Sequence, residues 1–311
     1  MYLGIGPVGT APVALWLFPV TLPRPPDNPS RLYGHFMHAT IPWPLVGALE
    51  PAGLVDARLQ AHHAAQLVVA LGISLLPPRP DDSHTNLEWL PGRALGGRPI
   101  PASPPFRGAL RLDPLILMIL DESGDVMDEY RLPGRTLAQA FRWLKDAVRA
   151  AGGAAEQLTD RKHYTIPPHP VETGASFTPD ETATRELSAY YDGASLALSE
   201  VAARRSNASE VRCWPHHFDI ATLMTLAPGR TVGAGLSPGD GYYAEPYYYV
   251  TPYPYPKGPL PPLQSGHWHT HEWTGAVLPA SRLVRERSES RQRDMIRDYL
   301  TESIAACEAL V

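Results

Sequence analysis

Four segments with helical periodicity divide this chain into two stretches, and each stretch places strand-like residues between two helices. In the first stretch, residues 52–73 carry apolar side chains at helical spacing and stop at a glycine and two prolines. Thr136 and Gln139 form a capping-box pattern, which predicts a second helix that ends near Gly152. Between them, the apolar run at 115–120 precedes a Ser-Gly-Asp turn and predicts a β-hairpin.

The second stretch repeats this order. Thr178 is the predicted N-cap of a third helix, because a proline and Glu181 follow it, and this helix runs to about Arg205. Strand-like segments fill 211–277, and an amphipathic helix covers about 286–310. The sequence therefore predicts an α+β fold with antiparallel or mixed sheets and flanking helices.

A short sequence match suggests that the two stretches are copies of one unit. PGRALGGRPIP at 91–101 lines up with PGRTVGAGLSP at 228–238, and the two share Pro-Gly-Arg, an aliphatic residue, a glycine and the last proline. We therefore predict an internal repeat, with halves at 52–153 and 178–311 packed around a pseudo-twofold axis.

The composition is that of a globular protein with a substantial core. Of the 311 residues, 44% are hydrophobic and 19% are charged, and the 35 prolines are interleaved with strand-like runs as loop punctuation. We assign 46–311 to a single domain and 1–45 to an atypical N-terminal extension. Its apolar run, 11–22, has no basic leader and contains two prolines, so we expect neither a signal peptide nor a membrane anchor.

The charge of the chain limits which partners we expect it to bind, and its cysteine content indicates the cellular compartment. A net charge of −5 and a pI near 6.2 give no general attraction to nucleic acid or anionic membranes, so neither is an expected partner. Cys213 and Cys307 are the only cysteines, which excludes a disulfide framework but allows one bridge. Two isolated thiols are more typical of a reducing compartment, which predicts a cytoplasmic location.

The segment from Val211 to Val277 concentrates the chemistry-bearing residues, including five of the twelve histidines. In GHWHTHEW three histidines alternate, and a strand would place them on one face about 6.5–7 Å apart. They could complete a three-ligand-plus-water site for a divalent transition metal such as zinc or iron. The predicted ligands are His216, His217, His267, His269 and His271. Their spacing fits neither HExxH nor the cupin pattern, so the alternative is a polar aromatic cleft without metal.

Carboxylates and aromatic rings complete the predicted cleft. Asp219, Asp240 and Glu245 are candidates for general acid–base catalysis. The segment SPGDGYYAEPYYYVTPYPYP opens with a turn, and its tyrosines then alternate as in an edge strand, covering apolar surface while presenting hydroxyls. The predicted ligand-binding residues are Trp214, Tyr243, Tyr248 and Trp268. The alternative is ordinary sheet packing with the hydroxyls in water.

Three segments resemble an uncharacterised bacterial family, a domain of unknown function. FDIATL, GLSPGDG and YYYVTPYPYP are similar to FDLA, GFWPGNG and YSYAYPEP of that family, and the resemblance covers about 110–259. It implies a bacterial protein and brings no known activity or catalytic residue. The positions of His216 and His217 are not both histidine in the family pattern, so Phe218-Asp219 and the Pro-Gly-Asp turn resemble the shared framework.

Two hypotheses for function follow from the predicted cleft. The leading one is a small-molecule enzyme in which the histidine cluster holds a metal or polarises the substrate while a carboxylate transfers protons. The alternative is a non-catalytic protein whose tyrosine and tryptophan surface binds a ligand or another protein. Convergence of the polar groups in one concave pocket would favour the enzyme, whereas an aromatic patch with scattered histidines would favour the binding protein.

Overall fold

A computed structural model of the protein describes residues 42–311. The apolar run at 11–22, and all of the predicted N-terminal extension except residues 42–45, lie outside the described part. Trp43 and Val46 already belong to the hydrophobic core of the fold.

The structure has five α-helices within residues 42–311, and three of them begin at a side-chain N-cap. The five helices are α1 (Val55–Leu75), α2 (Leu137–Ala150), α3 (Glu181–Ala203), the short α4 (Ala280–Leu283) and α5 (Glu289–Ala309). Three 3-10 segments, Pro51–Leu54, Ala155–Gln157 and Pro170–Thr173, flank them. The capping box of Thr136 and Gln139 is present at the start of α2. None of the helices in 42–311 combines the length and the apolar character needed to span a bilayer.

The predicted N-cap of α3 was wrong by two residues. Asp180 is the cap, because its Oδ1 accepts hydrogen bonds from the backbone N–H groups of Thr182 and Ala183 at 2.7 and 3.0 Å. The backbone N–H of Thr178 instead donates to Oε1 of Gln60 on α1. This tertiary contact keeps Thr178 in the connecting segment, so the helix starts after it.

The first half of the chain forms a five-stranded antiparallel sheet. Its strands are β1 (Glu88–Leu90), β2 (Ala94–Gly96), β3 (Phe106–Arg111), β4 (Ile116–Asp121) and β5 (Val126–Arg131), paired in chain order. The hairpin predicted from the apolar run at 115–120 is confirmed as β4 and β5.

The second half forms a six-stranded antiparallel sheet. Its strands are β6 (Arg212–Trp214), β7 (Asp219–Ala227), β8 (Arg230–Ser237), β9 (Tyr247–Tyr253), β10 (His267–His269) and β11 (Gly275–Pro279). The order in space is β10-β11-β9-β8-β7-β6, so the tyrosine-rich β9 lies inside the sheet, and the predicted edge position was wrong. Two antiparallel sheets with flanking helices confirm the α+β fold.

The two sheets meet at β1 and β6. Leu87 and Cys213 form an isolated antiparallel bridge, in which each backbone N–H donates to the other residue's carbonyl at 2.9 and 2.8 Å. Each half runs helix, antiparallel strands, helix, and matching this order pairs β1 with β6. The two Pro-Gly-Arg motifs then fall at different places, since one joins β1 to β2 and the other joins β7 to β8. The motif therefore does not align the halves, and duplication stays a prediction.

Strand alternation gives the six-stranded sheet two different faces. Ile220, Leu236 and Val250 lie in a core cluster that also includes α3, α5 and residues of the first sheet. The opposite face carries a separate aromatic cluster, which includes Tyr247 and Tyr249. The predicted site residues divide between these two faces.

Candidate functional site

The candidate site is the face of the six-stranded sheet opposite the helices, which we call the aromatic face. Its rings are Trp214, Tyr242, Tyr243, Tyr247, Tyr249, Tyr255 and Trp273. Successive residues of a strand point to opposite faces, so Tyr247 and Tyr249 lie here while Tyr248 packs in the core. Neighbouring rings contact one another: Tyr243 and Tyr247 have centroids 4.8 Å apart, and Trp273 stacks on His269 at 4.3 Å.

Asp219 is the most unusual polar residue of this face. It lies opposite Trp214 in the β6–β7 pair and is only 8% exposed. Its Oδ2 accepts a hydrogen bond from the Tyr249 hydroxyl, whereas its Oδ1 is buried and has no hydrogen-bond partner among the described residues. Burial raises the pKa of this carboxyl, because the charged form loses its hydration.

A glycine makes the contact between Tyr249 and Asp219 sterically possible. The two side chains lie on β9 and β7, and Gly235 on β8 lies between them. A Cβ at Gly235 would approach the Cζ and hydroxyl oxygen of Tyr249 to 2.7 Å. The ring of Tyr249 therefore crosses β8 only because this position has no side chain.

Asp240 organises the loop between β8 and β9. Its Oδ1 accepts hydrogen bonds from the backbone N–H groups of Tyr242 and Tyr243 at 2.8 and 3.0 Å, and its Oδ2 accepts one from the Tyr247 hydroxyl at 2.5 Å. Gly239 just before it has a φ of +110°, as the predicted Pro-Gly-Asp turn requires. All three contacts hold the loop against the aromatic face.

A buried arginine approaches the same loop from α1. Arg58 is 7% exposed, contacts Gly239, and has no hydrogen-bond partner for Nη1 in the described part of the chain. Burial lowers the pKa of the Arg58 guanidinium, and the nearby charge of Asp240 opposes this effect. Arg58 was not a predicted site residue, because its position in a helical pattern carries no mark of this long-range contact.

Two of the three alternating histidines share the aromatic face. The Tyr243 hydroxyl lies 3.1 Å from Nε2 of His267 and 3.0 Å from Nδ1 of His269, so one hydroxyl joins both rings. Burial lowers the pKa of His267. The strand ends at His269, and the exposed His271 follows in a bend, where its carbonyl lies 2.7 Å from Nε2 of His269.

The other two predicted metal ligands lie in the turn between β6 and β7. The ring centroids of His216 and His217 are 4.2 Å apart, and burial lowers the pKa of His216 to about 3. No group of three or more His, Cys, Asp or Glu side chains within 42–311 is arranged to hold a metal ion. The five histidines therefore do not form the predicted site, and the described structure offers no support for a zinc or iron centre.

Three further predicted residues either lie away from the aromatic face or have their hydrogen-bonding atoms engaged by another part of the chain. Glu245 accepts hydrogen bonds from the backbone N–H and hydroxyl of Ser281, so it caps α4. Trp268 packs against the core, and its Nε1 donates to the Pro261 carbonyl at 2.6 Å. Tyr248 is 2% exposed in the core. A catalytic role of Glu245 and ligand binding by Trp268 and Tyr248 stay predictions.

The predicted site residues also missed five rings of the aromatic face, which are Tyr242, Tyr247, Tyr249, Tyr255 and Trp273. Tyr247, Tyr249 and Trp273 are central to it, yet the predicted set took Tyr248 from the same strand. Alternation shows that Tyr247 and Tyr249 share a face, but choosing that face requires knowledge of which side the helices cover. Trp273 is the last residue of GHWHTHEW, and it has a buried Nε1 without a partner among the described residues.

The chain has no detected similarity to a characterised protein. No protein-family model, no curated protein and no solved structure matches it. The resemblance to an uncharacterised bacterial family therefore stays a prediction, and the function has to be argued from the aromatic face.

Proposed function

We propose that this protein is a non-catalytic binding protein that holds a small ligand on its aromatic face. The proposal rests on the buried Oδ1 of Asp219, which has no hydrogen-bond partner in the part of the chain that the structure describes. A buried polar atom without a partner costs free energy, typically about 1–3 kcal/mol, and native proteins rarely leave one without a reason. A ligand that hydrogen-bonds with Asp219 supplies such a reason.

The surroundings of Asp219 indicate the shape of the ligand. Tyrosine and tryptophan rings offer flat apolar surfaces with polar edges, which suit a ligand with a planar or apolar body and a few polar groups. The buried Nε1 of Trp273 is a second polar atom that lacks a partner within 42–311. Because both atoms are buried, a covering side chain would move aside as one ligand group pairs with Asp219, and the remainder of the ligand would pack on the rings.

Apart from the side chain that covers these buried atoms, the groups around Asp219 are held in place before a ligand arrives. Tyr249 fixes one oxygen of Asp219, and Asp240 fixes the adjoining loop through Tyr247 and two backbone groups. Such preorganisation favours binding because few groups lose further freedom when the ligand enters.

A catalytic alternative rests on Asp219 as well. Burial raises the pKa of its carboxyl, and the charge of the nearby His217 acts in the opposite direction, so the two residues form a candidate proton-transfer pair. We place it second because Asp240 and Glu245 are occupied by structural hydrogen bonds and the histidines are divided between two locations.

The cysteines support a cytoplasmic location for this binding protein. Cys213 and Cys307 are both free and buried, and burial raises the pKa of each thiol. Unpaired thiols are typical of a reducing compartment.

The proposal is tested by screening the purified full chain for thermal stabilisation with a library of planar compounds that carry amine, amide, hydroxyl or carboxylate groups. Hits are then measured by calorimetric titration against Asp219→Asn and Tyr249→Phe. Tyr253→Phe is the matched control, because Tyr253 is a tyrosine of the same strand that is 40% exposed and outside the aromatic cluster.

We expect compounds of one chemical class to bind the wild-type protein and the Tyr253→Phe control equally. Asp219→Asn and Tyr249→Phe should weaken binding about tenfold, the usual effect of losing one hydrogen bond to a charged or buried group. Hits that bind all four proteins equally would show that the aromatic face is not the site. Turnover of a hit, lost in Asp219→Asn, would establish the catalytic alternative.

A further inference from the structure

A cavity of about 290 Å³ lies away from the aromatic face, where the two sheets meet. It is bounded by β1, by β6 with the residues just before it, and by the C-terminal half of α3. The strands β1 and β6 have three residues each, and the Leu87–Cys213 bridge joins the two sheets beside them. The cavity is therefore a feature of the junction between the two halves of the fold.

Small side chains on α3 explain why the space is not filled. Ser195, Ser199 and Ala202 line the cavity, and their spacing of four and three residues places them on one face of the helix. Leucine or phenylalanine at these positions would close the gap between helix and strands, as large residues do in ordinary cores. The helix face thus combines small size with two hydroxyl groups.

The charged groups of the cavity are matched with one another. Arg212 contacts Oε2 of Glu88 at 3.3 Å and Oε2 of Glu210 at 2.5 Å. Arg107 also contacts Glu88 at 3.3 Å, and Arg98 lies 4.0 Å from Glu210. Each carboxylate faces two guanidinium groups, and Arg212 faces both carboxylates. Every charged side chain of the lining is therefore already in an ion pair, and the remaining hydrogen-bonding atoms suit a neutral ligand.

An indole completes the lining. Trp89 stacks on Tyr191 with ring centroids 5.3 Å apart, and its Nε1 donates to Oδ1 of Asp192 at 2.9 Å. These two contacts fix the ring, which lines the cavity. A fixed aromatic surface beside carboxylate, guanidinium and hydroxyl groups suits a molecule with a C–H face and a rim of hydroxyls.

We propose that this cavity is a binding site for a small neutral polyhydroxylated molecule, such as a monosaccharide or a cyclic polyol. Ligand hydroxyls donate to Glu88 and Glu210, accept from Arg212, and exchange hydrogen bonds with Ser195 and Ser199, while the ring packs on Trp89. The volume limits the ligand to about one sugar ring, since larger ligands occupy pockets of about 300–1,000 Å³. The site does not depend on the aromatic face or its ligand.

Saturation-transfer NMR on the full chain tests the proposal, because it detects weak binding of small molecules. The probes are D-glucose, D-galactose, D-mannose and myo-inositol, with glucosamine and glucuronate as charged comparators. Ala202→Phe fills the cavity. Ala203→Phe is the matched control, since Ala203 is the next residue of α3, is exposed and does not line the cavity. Ser199→Ala removes one hydroxyl without adding bulk.

We expect saturation transfer to at least one neutral polyol from the wild-type protein, from Ala203→Phe and from Asp219→Asn. Ala202→Phe should show no such transfer. Ser199→Ala should weaken the affinity about threefold to tenfold, which keeps the test decisive if Ala202→Phe fails to fold. Absence of saturation transfer to every one of the four neutral polyols, a preference for a charged sugar, or binding that survives in a folded Ala202→Phe would overturn the proposal. Loss of binding in Asp219→Asn would move the site to the aromatic face.

Discussion

Asp219 shows how much of a site depends on a single residue. Its carboxyl group in a histidine-rich segment made it a candidate for general acid–base catalysis, and in the structure it is the first residue of β7. Its burial, its contact with Tyr249 and an Oδ1 that has no partner within 42–311 could not be predicted, because they depend on a glycine one strand away and a tyrosine two strands away. The residue type was enough to make Asp219 a candidate site residue. Its burial and its hydrogen bond follow from the register of the sheet.

Replacing Asp219 by asparagine should stabilise the protein at high pH. Burial raises the folded-state pKa of Asp219 above its unfolded value, so folding favours the protonated carboxyl, and stability is lost as pH rises through the folded pKa. Asparagine is neutral at every pH and can still accept the Tyr249 hydrogen bond. Urea unfolding should therefore show Asp219→Asn similar to wild type at pH 4 and more stable at pH 8. A variant that is equally destabilised at both values would contradict a buried carboxyl at this position.

Among the secondary-structure elements, helices were more predictable than strand partners. Helix α2 begins at its predicted capping box, since the cap lies within four residues of sequence. The interior position of β9 was missed because β11 inserts between β9 and β10, a pairing between segments far apart in the chain. Local patterns report local hydrogen bonds, whereas strand order is decided by long-range contacts.

The corrected start of α3 gives a direct comparison between two candidate caps. Asp180→Ala removes the acceptor for two backbone N–H groups, and such a loss costs about 1 kcal/mol. Thr178→Ala leaves both bonds intact, because Thr178 is exposed and contributes its backbone N–H to Gln60. In urea unfolding at pH 7, the free energy of unfolding of Asp180→Ala should be lower than that of Thr178→Ala by about that amount. If the two variants lost equal stability, or if Thr178→Ala lost more, Thr178 would be the N-cap, as predicted from sequence.

Helix α1 and the β6–β7 turn are joined by neutral histidines, which should make stability fall in acid. His62 is 3% exposed, its Nε2 lies 2.8 Å from the Pro215 carbonyl, and its ring stacks on Phe218 at 4.9 Å. Burial lowers the pKa of His62 to about 3, and the same effect acts on His216. The unfolded chain binds protons at these residues below about pH 6.5, whereas the folded protein does not.

Between pH 6.5 and about 3, the free energy of unfolding should therefore decrease as pH falls. Each such histidine contributes about 1.4 kcal/mol per pH unit. His62→Gln keeps a nitrogen near the Pro215 carbonyl but cannot be protonated, so it should reduce this slope by the contribution of one histidine, whatever its effect at pH 7.5. Urea unfolding at pH 7.5, 6.5, 5.5 and 4.5 measures the slope. An unchanged slope in His62→Gln would show that His62 is protonated in the folded state.

For the molecule as a whole, the decisive feature is that both sheets contribute to one hydrophobic core. The same cluster contains residues from β3 and β4 of the first sheet, from β7, β8 and β9 of the second, and from all the long helices. The Leu87–Cys213 bridge adds backbone hydrogen bonds between the sheets. The similar order of elements in the two halves was predictable from sequence, but this continuity was not, since periodicity does not reveal which buried faces meet.

A shared core predicts that the described part of the chain unfolds as one unit. Leu110→Ala in the first sheet and Leu236→Ala in the second each remove a fully buried side chain, at a cost of about 2–5 kcal/mol. Because both leucines belong to the same cluster, each substitution should increase hydrogen exchange in both sheets to a similar extent and shift a single urea transition, with coincident circular dichroism and fluorescence. If Leu110→Ala loosened only the first sheet while the second kept its protection, the halves would be independent units, and the cavity at their junction would change shape whenever one of them opened.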